Sequence, residues 1–103
     1  MMRILAIIST HGNESLGPSL LAYMLAKRSK LLEDIEFIIA NPRAYAKNVR
    51  YTESDLNRSY GLSLDTYEGR RAKIIEERIR LLKPGLVLDF HTTTAEQPNI
   101  LIT

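Results

Sequence analysis

The chain has 103 residues, 25% of them charged and 45% hydrophobic, with a formal net charge of +2 and no cysteine, the composition of one small globular domain. Disulfides and thiolate metal sites are excluded, which leaves histidine and carboxylate as metal ligands. No apolar run approaches the roughly 20 residues of a membrane span, the start Met1-Met2-Arg3-Ile4 lacks signal-peptide architecture, and so small a charge excess does not by itself argue for nucleic acid.

The first predicted element is a strand over 3–8, Arg3-Ile4-Leu5-Ala6-Ile7-Ile8, whose continuous apolar run suits a central parallel strand covered on both faces. It delivers Ser9-Thr10-His11-Gly12-Asn13-Glu14. From Ser15 the apolar spacing becomes helical, with Leu16, Leu20, Leu21, Met24 and Leu25 as the stripe. Pro18 is tolerated in the first turn, and Lys27, Arg28 and Lys30 are placed to complement the dipole at the end. A second strand over 35–40 completes a βαβ-sized unit, so these two strands are expected to be parallel.

Asn41-Pro42 breaks the second strand. Residues 41–63 show little periodicity and read as a long loop carrying Arg43, Lys47, Arg50 and Arg58 among Tyr45, Tyr51 and Tyr60; a loop of that length in a small domain is functional or disordered. Its aromatic content argues against a linker. A second helix is expected from Asp65, with Glu68 in a capping-box-like position and Tyr67, Ile74, Ile75, Ile79 and Leu82 as its buried stripe. Lys83-Pro84-Gly85 ends it. A third strand over 86–90 delivers His91 at its carboxyl end, 95–99 turns, and Ile100-Leu101-Ile102 begins a fourth strand. The order predicts a three-layer α/β fold, a largely parallel sheet with helices on both faces, over a single domain 1–103. The alternative is a smaller α+β domain with an antiparallel edge.

The two histidines of the chain, His11 and His91, both fall just after predicted strands, beside threonine-rich turns. Carboxyl ends of strands are where open α/β sheets bind ligands. Imidazole and carboxylate are ordinary zinc ligands, and His11, Glu14 and His91 make a candidate set. Hydrogen-bonded loop histidines are the competing reading. Asp89 is a candidate acceptor behind His91, or a carboxylate that bonds loop N–H groups. Arg50, Asn57 and Arg58 can grip a carboxylate. Composition alone instead favours a solvated basic loop, with Glu53 or Asp55 pairing an arginine. An RNA surface is disfavoured, because no RNA-binding signature accompanies the tyrosines and arginines.

Four blocks in order, Thr10-His11-Gly12-Asn13-Glu14, Asn41-Pro42-Arg43-Ala44, Arg50-Tyr51 with Asp55-Leu56-Asn57-Arg58, and Asp89-Phe90-His91-Thr92-Thr93, resemble the succinylglutamate desuccinylase/aspartoacylase family, relatives of the zinc carboxypeptidases. Tyr67-Glu68-Gly69-Arg70-Arg71-Ala72 extends the likeness into the second helix. The resemblance implies one zinc ion held by His11, Glu14 and His91, with water in the open position. Arg50 is similar to the arginine that polarises the scissile carbonyl, and Asn57 and Arg58 to the pair that binds the substrate α-carboxylate. Asp55 resembles a buried carboxylate that holds the loop. The family's general base is a glutamate in a later strand; the chain ends before it, and Glu96 does not match that motif.

The implied function is zinc-dependent hydrolysis of the amide bond of an N-acyl amino acid or similar small acidic amide, in the cytoplasm, without nucleic-acid or membrane partners. The alternatives are a non-catalytic metal- or carboxylate-binding fragment, one chain of a split enzyme, and a metallocarboxypeptidase. A sheet covering only the first half of a catalytic domain would expose an apolar edge, so a homo-oligomer or a complementing chain is expected.

Overall fold

In a computed structural model, which describes residues 3–92 and 98–102, four strands form one sheet. Strand β1 (Ile4–Ile8) lies between β2 (Ile35–Ile39) and β3 (Leu86–Thr92), and β4 (Pro98–Ile102) adds beyond β3. β1 pairs in parallel with both neighbours, Ile4 facing Ile35 on one side and Leu86 on the other. β4 runs antiparallel to β3, with His91 opposite Asn99. The sheet is therefore largely parallel with one antiparallel edge. Pro98 and Asn99 already belong to β4; the rest of the turn expected over 95–99 lies outside the described residues.

The period-two alternation of β1 divides its side chains between two cores. Leu5 and Ile7 face α3 (Tyr67–Leu82), packing with Ile75, Val87, Leu56 and Ala40. Ala6 and Ile8 face α1 (Leu16–Ala26), packing with Leu16, Leu20, Leu21 and Phe90. Helices thus cover both faces. Gly17 lets α1 approach closely, because a Cβ there would lie 2.4 Å from the Cβ of Ile8. Each fully buried aliphatic chain of these cores contributes about 1.5–3 kcal/mol.

Several expectations are corrected. Leu25 is not on the buried face of α1 but 58% exposed, and Ile74 of α3 is 46% exposed, its place taken by the small buried Ala72. Helix α1 ends at Ala26, so Lys27 caps it and Arg28 and Lys30 lie beyond its last turn. Residues 41–63 are not a continuous loop. They contain a short helix α2 (Pro42–Lys47), capped by Asn41, whose side chain accepts from the Ala44 N–H at 3.1 Å, and a 3-10 turn at Leu56–Arg58. Thr66, not Asp65, caps α3, accepting from Gly69 N–H at 2.9 Å. β3 also runs further than expected, so His91 lies inside a strand rather than after it.

Helix α3 is tied to the β2 edge by side chains. Arg71 donates from Nε to the Ala40 carbonyl and from Nη2 to the Ile39 carbonyl, each at 2.8 Å. Arg78 grips the Glu36 carboxylate with two nitrogens, which lowers the Glu36 pKa.

Candidate metal centre

The crossover from β1 to β2 carries α1 on one face, and the segment returning to β3 carries α3 on the other. The carboxyl ends of β1 and β3 are neighbours at the point where the strand order reverses. That opens a crevice of the kind where α/β sheets bind ligands. His11 enters it from the loop after β1 and His91 from the end of β3.

The chain leaves β1 through Ser9, held at φ 58° and buried, in the left-handed region that side chains other than glycine seldom adopt. This bend brings Thr10 and His11 inward. Gly12 then passes against α2: a Cβ there would lie 2.1 Å from the carbonyl carbon of Ala44 and 2.4 Å from the nitrogen of Tyr45. Its N–H donates to the Arg50 carbonyl at 3.2 Å. A glycine is thus required between His11 and Glu14, because the α2 backbone occupies the space of any side chain.

His11 Nδ1 lies 2.9 Å from Glu14 Oε2, and His91 Nδ1 lies 3.3 Å from Glu14 Oε1. The two rings meet edge to face with centroids 5.6 Å apart. One ligand atom from each of His11, Glu14 and His91 lies within 4.8 Å of the others. Behind each histidine stands an aspartate. Asp55 Oδ1 is 2.8 Å from His11 Nε2. Asp89 Oδ1 is 3.0 Å from His91 Nε2, at an angle too poor for a hydrogen bond, and accepts from the Thr10 hydroxyl at 3.1 Å.

The electrostatics follow from these contacts. The Asp89 carboxylate raises the His91 pKa, burial opposes it, and Glu14 adds to the rise. Burial pushes Asp55 up, but the His11 hydrogen bond and charge, the Asn57 N–H and Arg50 together leave its pKa lowered. Two imidazoles and a carboxylate, with no lysine or arginine among them and an aspartate behind each ring, make a donor set that fits a zinc ion.

The basic segment is arranged around Asp55. Its Oδ1 caps the 3-10 turn by accepting from Asn57 N–H at 3.0 Å, and its Oδ2 lies 3.6 Å from Arg50 Nη2. Arg50, Asn57 and Arg58 are all exposed, with Arg50 drawn to the cluster through Asp55. Arg43 pairs with Glu53 at 3.3 Å and stacks on Tyr67 at 3.8 Å, so part of this segment does form ordinary surface ion pairs.

Glu68, read from the sequence as a capping-box residue, is instead wholly buried at the start of α3. Its carboxylate accepts from Asn41 Nδ2 at 2.9 Å, Thr52 N–H at 2.7 Å, Thr52 Oγ1 at 2.8 Å, and the N–H groups of Glu53 and Ser54 at 3.1 Å. Burial pushes its pKa up, but these donors outweigh it and hold the carboxyl down to about 2. A glutamate in the first turn of a helix reads as favourable to the dipole wherever it points, so the local pattern carried no signal of this role.

The sequence profile of the Succinylglutamate desuccinylase/Aspartoacylase catalytic domain matches residues 3–103. A protein of Prochlorococcus marinus (strain MIT 9515) named probable aspartoacylase is 37% identical across 97% of this chain and 37% of its own length. An N-acyl-aromatic-L-amino acid amidohydrolase (carboxylate-forming) of Xenopus tropicalis is 34% identical across 90% of this chain and 34% of its own. The chain thus spans little more than a third of these relatives. Among solved structures, murine aminoacylase 3 superposes with a TM-score of 0.63 at 33% identity, over 90% of this chain and 36% of that one. A succinylglutamate desuccinylase of Vibrio parahaemolyticus superposes with a TM-score of 0.77 at 23% identity, over 90% and 36%, a likeness of fold alone. By this match over residues 3–103, the chain belongs to the succinylglutamate desuccinylase/aspartoacylase family.

Proposed function

We propose that this chain carries the metal-holding part of a zinc-dependent deacylase that hydrolyses the amide bond of an N-acyl amino acid. The observation that carries the reading is the convergence of His11, Glu14 and His91, both Nδ1 atoms turned to one carboxylate. It is supported by relatives named for aspartoacylase and N-acyl amino acid amidohydrolase activity.

His11, Glu14 and His91 would hold the ion, which when bound supplies Lewis acidity and lowers the pKa of water to about 7. Asp55 would fix the His11 ring by accepting a hydrogen bond from Nε2–H, which leaves the Nδ1 lone pair free for the ion. Asp89 supports His91 in the same sense by its charge, and Thr10 holds Asp89 in place. Both aspartates are committed to a histidine, so neither is assigned the general base. Arg50, 3.6 Å from Asp55 at the rim, is assigned the negative charge that would develop on the carbonyl oxygen. Asn57 and Arg58, on the exposed 3-10 turn, are assigned to the carboxylate of the substrate. Among the described residues the sheet has β2 and β4 at its edges, and these edges are where a second copy or a complementing chain would join.

The test separates the two arginines. With zinc bound and N-acetyl amino acids as substrates, Arg58→Ala should raise KM, because a carboxylate is charged in the ground state. Arg50→Ala should lower kcat by about 10²–10³-fold, the size of losing one oxyanion donor. If the chain binds without turnover, Arg58→Ala should still abolish ligand affinity while zinc stays bound. Neither substitution altering affinity or rate would make both arginines solvated surface charges, each contributing under about 1 kcal/mol.

A further inference from the structure

We propose that Glu68 is a positioning residue for the ligand cluster: its buried carboxylate shapes the 52–54 turn and through it sets Asp55 behind His11. The proposal rests on the metal-site reading above and deepens it.

A helix-capping role does not account for Glu68. Thr66 already caps α3, and none of the five donors to the Glu68 carboxylate belongs to that helix. Three of them are the successive N–H groups of Thr52, Glu53 and Ser54, turned inward as an anion-binding concavity. The fourth is the Thr52 hydroxyl and the fifth is Asn41, which also caps α2 and donates its own N–H to the Ser9 carbonyl at 3.2 Å. One carboxylate thus joins the start of α3, the end of β2, the cap of α2 and the basic segment.

The 52–54 turn is short, and both of its flanks reach the cluster. Before it, the Arg50 carbonyl accepts from Gly12 N–H. After it, Asp55 contacts His11 Nε2. The turn is locked from its outer side too, since Glu53 Oε1 accepts from Tyr67 N–H at 2.7 Å. Five donors require an acceptor-only group. Glutamine at this position would turn an NH2 toward N–H donors, releasing at least one oxygen's worth of the turn.

The experiment compares the native chain with Glu68→Gln, using Glu77→Gln, an exposed change on the same helix, as control. Zinc affinity is measured by chelator competition, the Asp55 contact by the 15N resonance of His11 Nε2, and the turn by amide exchange at residues 52–54, on protein shown folded by near-UV circular dichroism. We expect Glu68→Gln to weaken zinc about 10–100-fold, the usual cost of losing support behind a ligand. It should also shift the His11 Nε2 resonance and unprotect the three amides, with the control unchanged. A merely structural glutamate would lower stability and leave the His11 resonance and the zinc affinity of the folded fraction unmoved, which would overturn the proposal. Should Glu68→Gln not fold, Thr52→Val, which removes one hydroxyl donor and keeps the N–H, decides: the same changes in smaller measure uphold the proposal, and their absence overturns it. Failure of the native chain to bind zinc would end the metal reading, while the resonance and exchange measurements would still judge Glu68.

Discussion

His11 and His91 turn the same ring nitrogen to the same carboxylate and keep an aspartate behind the other one, so the cluster is specified by five side chains rather than three. At this scale the most exacting position is Gly12. Alanine there would place a methyl 2.1 Å from the Ala44 carbonyl carbon, against a helical peptide unit that cannot easily yield. Gly12→Ala should cost about 2–3 kcal/mol or more, and should weaken metal binding by displacing His11 and Glu14. Chemical denaturation alongside zinc titration checks both. Glu68 predicts a pH dependence. Its folded pKa of about 2 lies below the ordinary 4.5, so its stabilisation is fully present above about pH 4.5 and is lost as pH falls toward 2. The gap corresponds to about 3 kcal/mol. The unfolding free energies of the native chain and Glu68→Gln should differ by about that much at pH 6 and converge between pH 4.5 and 2. A constant difference across that range would remove the charge from the explanation. The candidate ligands were readable in the sequence because each stands just beyond a strong apolar run, 4–8 or 86–90. Glu68 was not, because its partners lie 14–27 positions away and nothing local marks them.

At the scale of elements, the strands were readable because apolar runs bounded by Asn-Pro and Pro-Gly leave little choice. Helix α2 escaped because six residues cannot display helical periodicity. What makes it a helix is the Asn41 cap, Pro42 at its first position and its seat on Gly12. Helix α3 was found but its start was misplaced by two residues, since Asp65 and Thr66 are both capping types and only the Thr66 hydroxyl reaches an N–H of the first turn. Its far end offers a prediction. Lys83 closes α3 in the left-handed region at φ 49°, its N–H donating to the Ile79 carbonyl. Only the backbone is used, so Lys83→Gly should stabilise the chain by about 0.5–1 kcal/mol, whereas Thr66→Ala at the opposite end should cost about 1 kcal/mol. Thermal midpoints that move in the same direction for both would contradict these cap assignments.

At the scale of the whole molecule, the candidate ligands come from opposite ends of the chain and meet only because β1 is central. His11 follows β1, His91 lies at the end of the β3 ladder before Thr92, and the two strands are in register from Ile4 and Leu86 to Ile7 and Asp89. The candidate metal centre is therefore a product of the strand order, and a bound ion would stabilise the assembled sheet over the unfolded chain. Sequence reasoning reached this architecture because the βαβ unit and the apolar third strand both demand a parallel sheet. The antiparallel pairing of β4 entered only with the alternative fold, since a short apolar segment pairs in either sense. The most direct measurement is the zinc stoichiometry and affinity of the folded native chain beside folded His91→Ala. One zinc per native chain is expected, and at least a hundredfold weaker binding in the variant, about 2.7 kcal/mol. Equal zinc content and affinity in the two proteins would contradict it, because an ion indifferent to His91 is not bound where β1 and β3 converge.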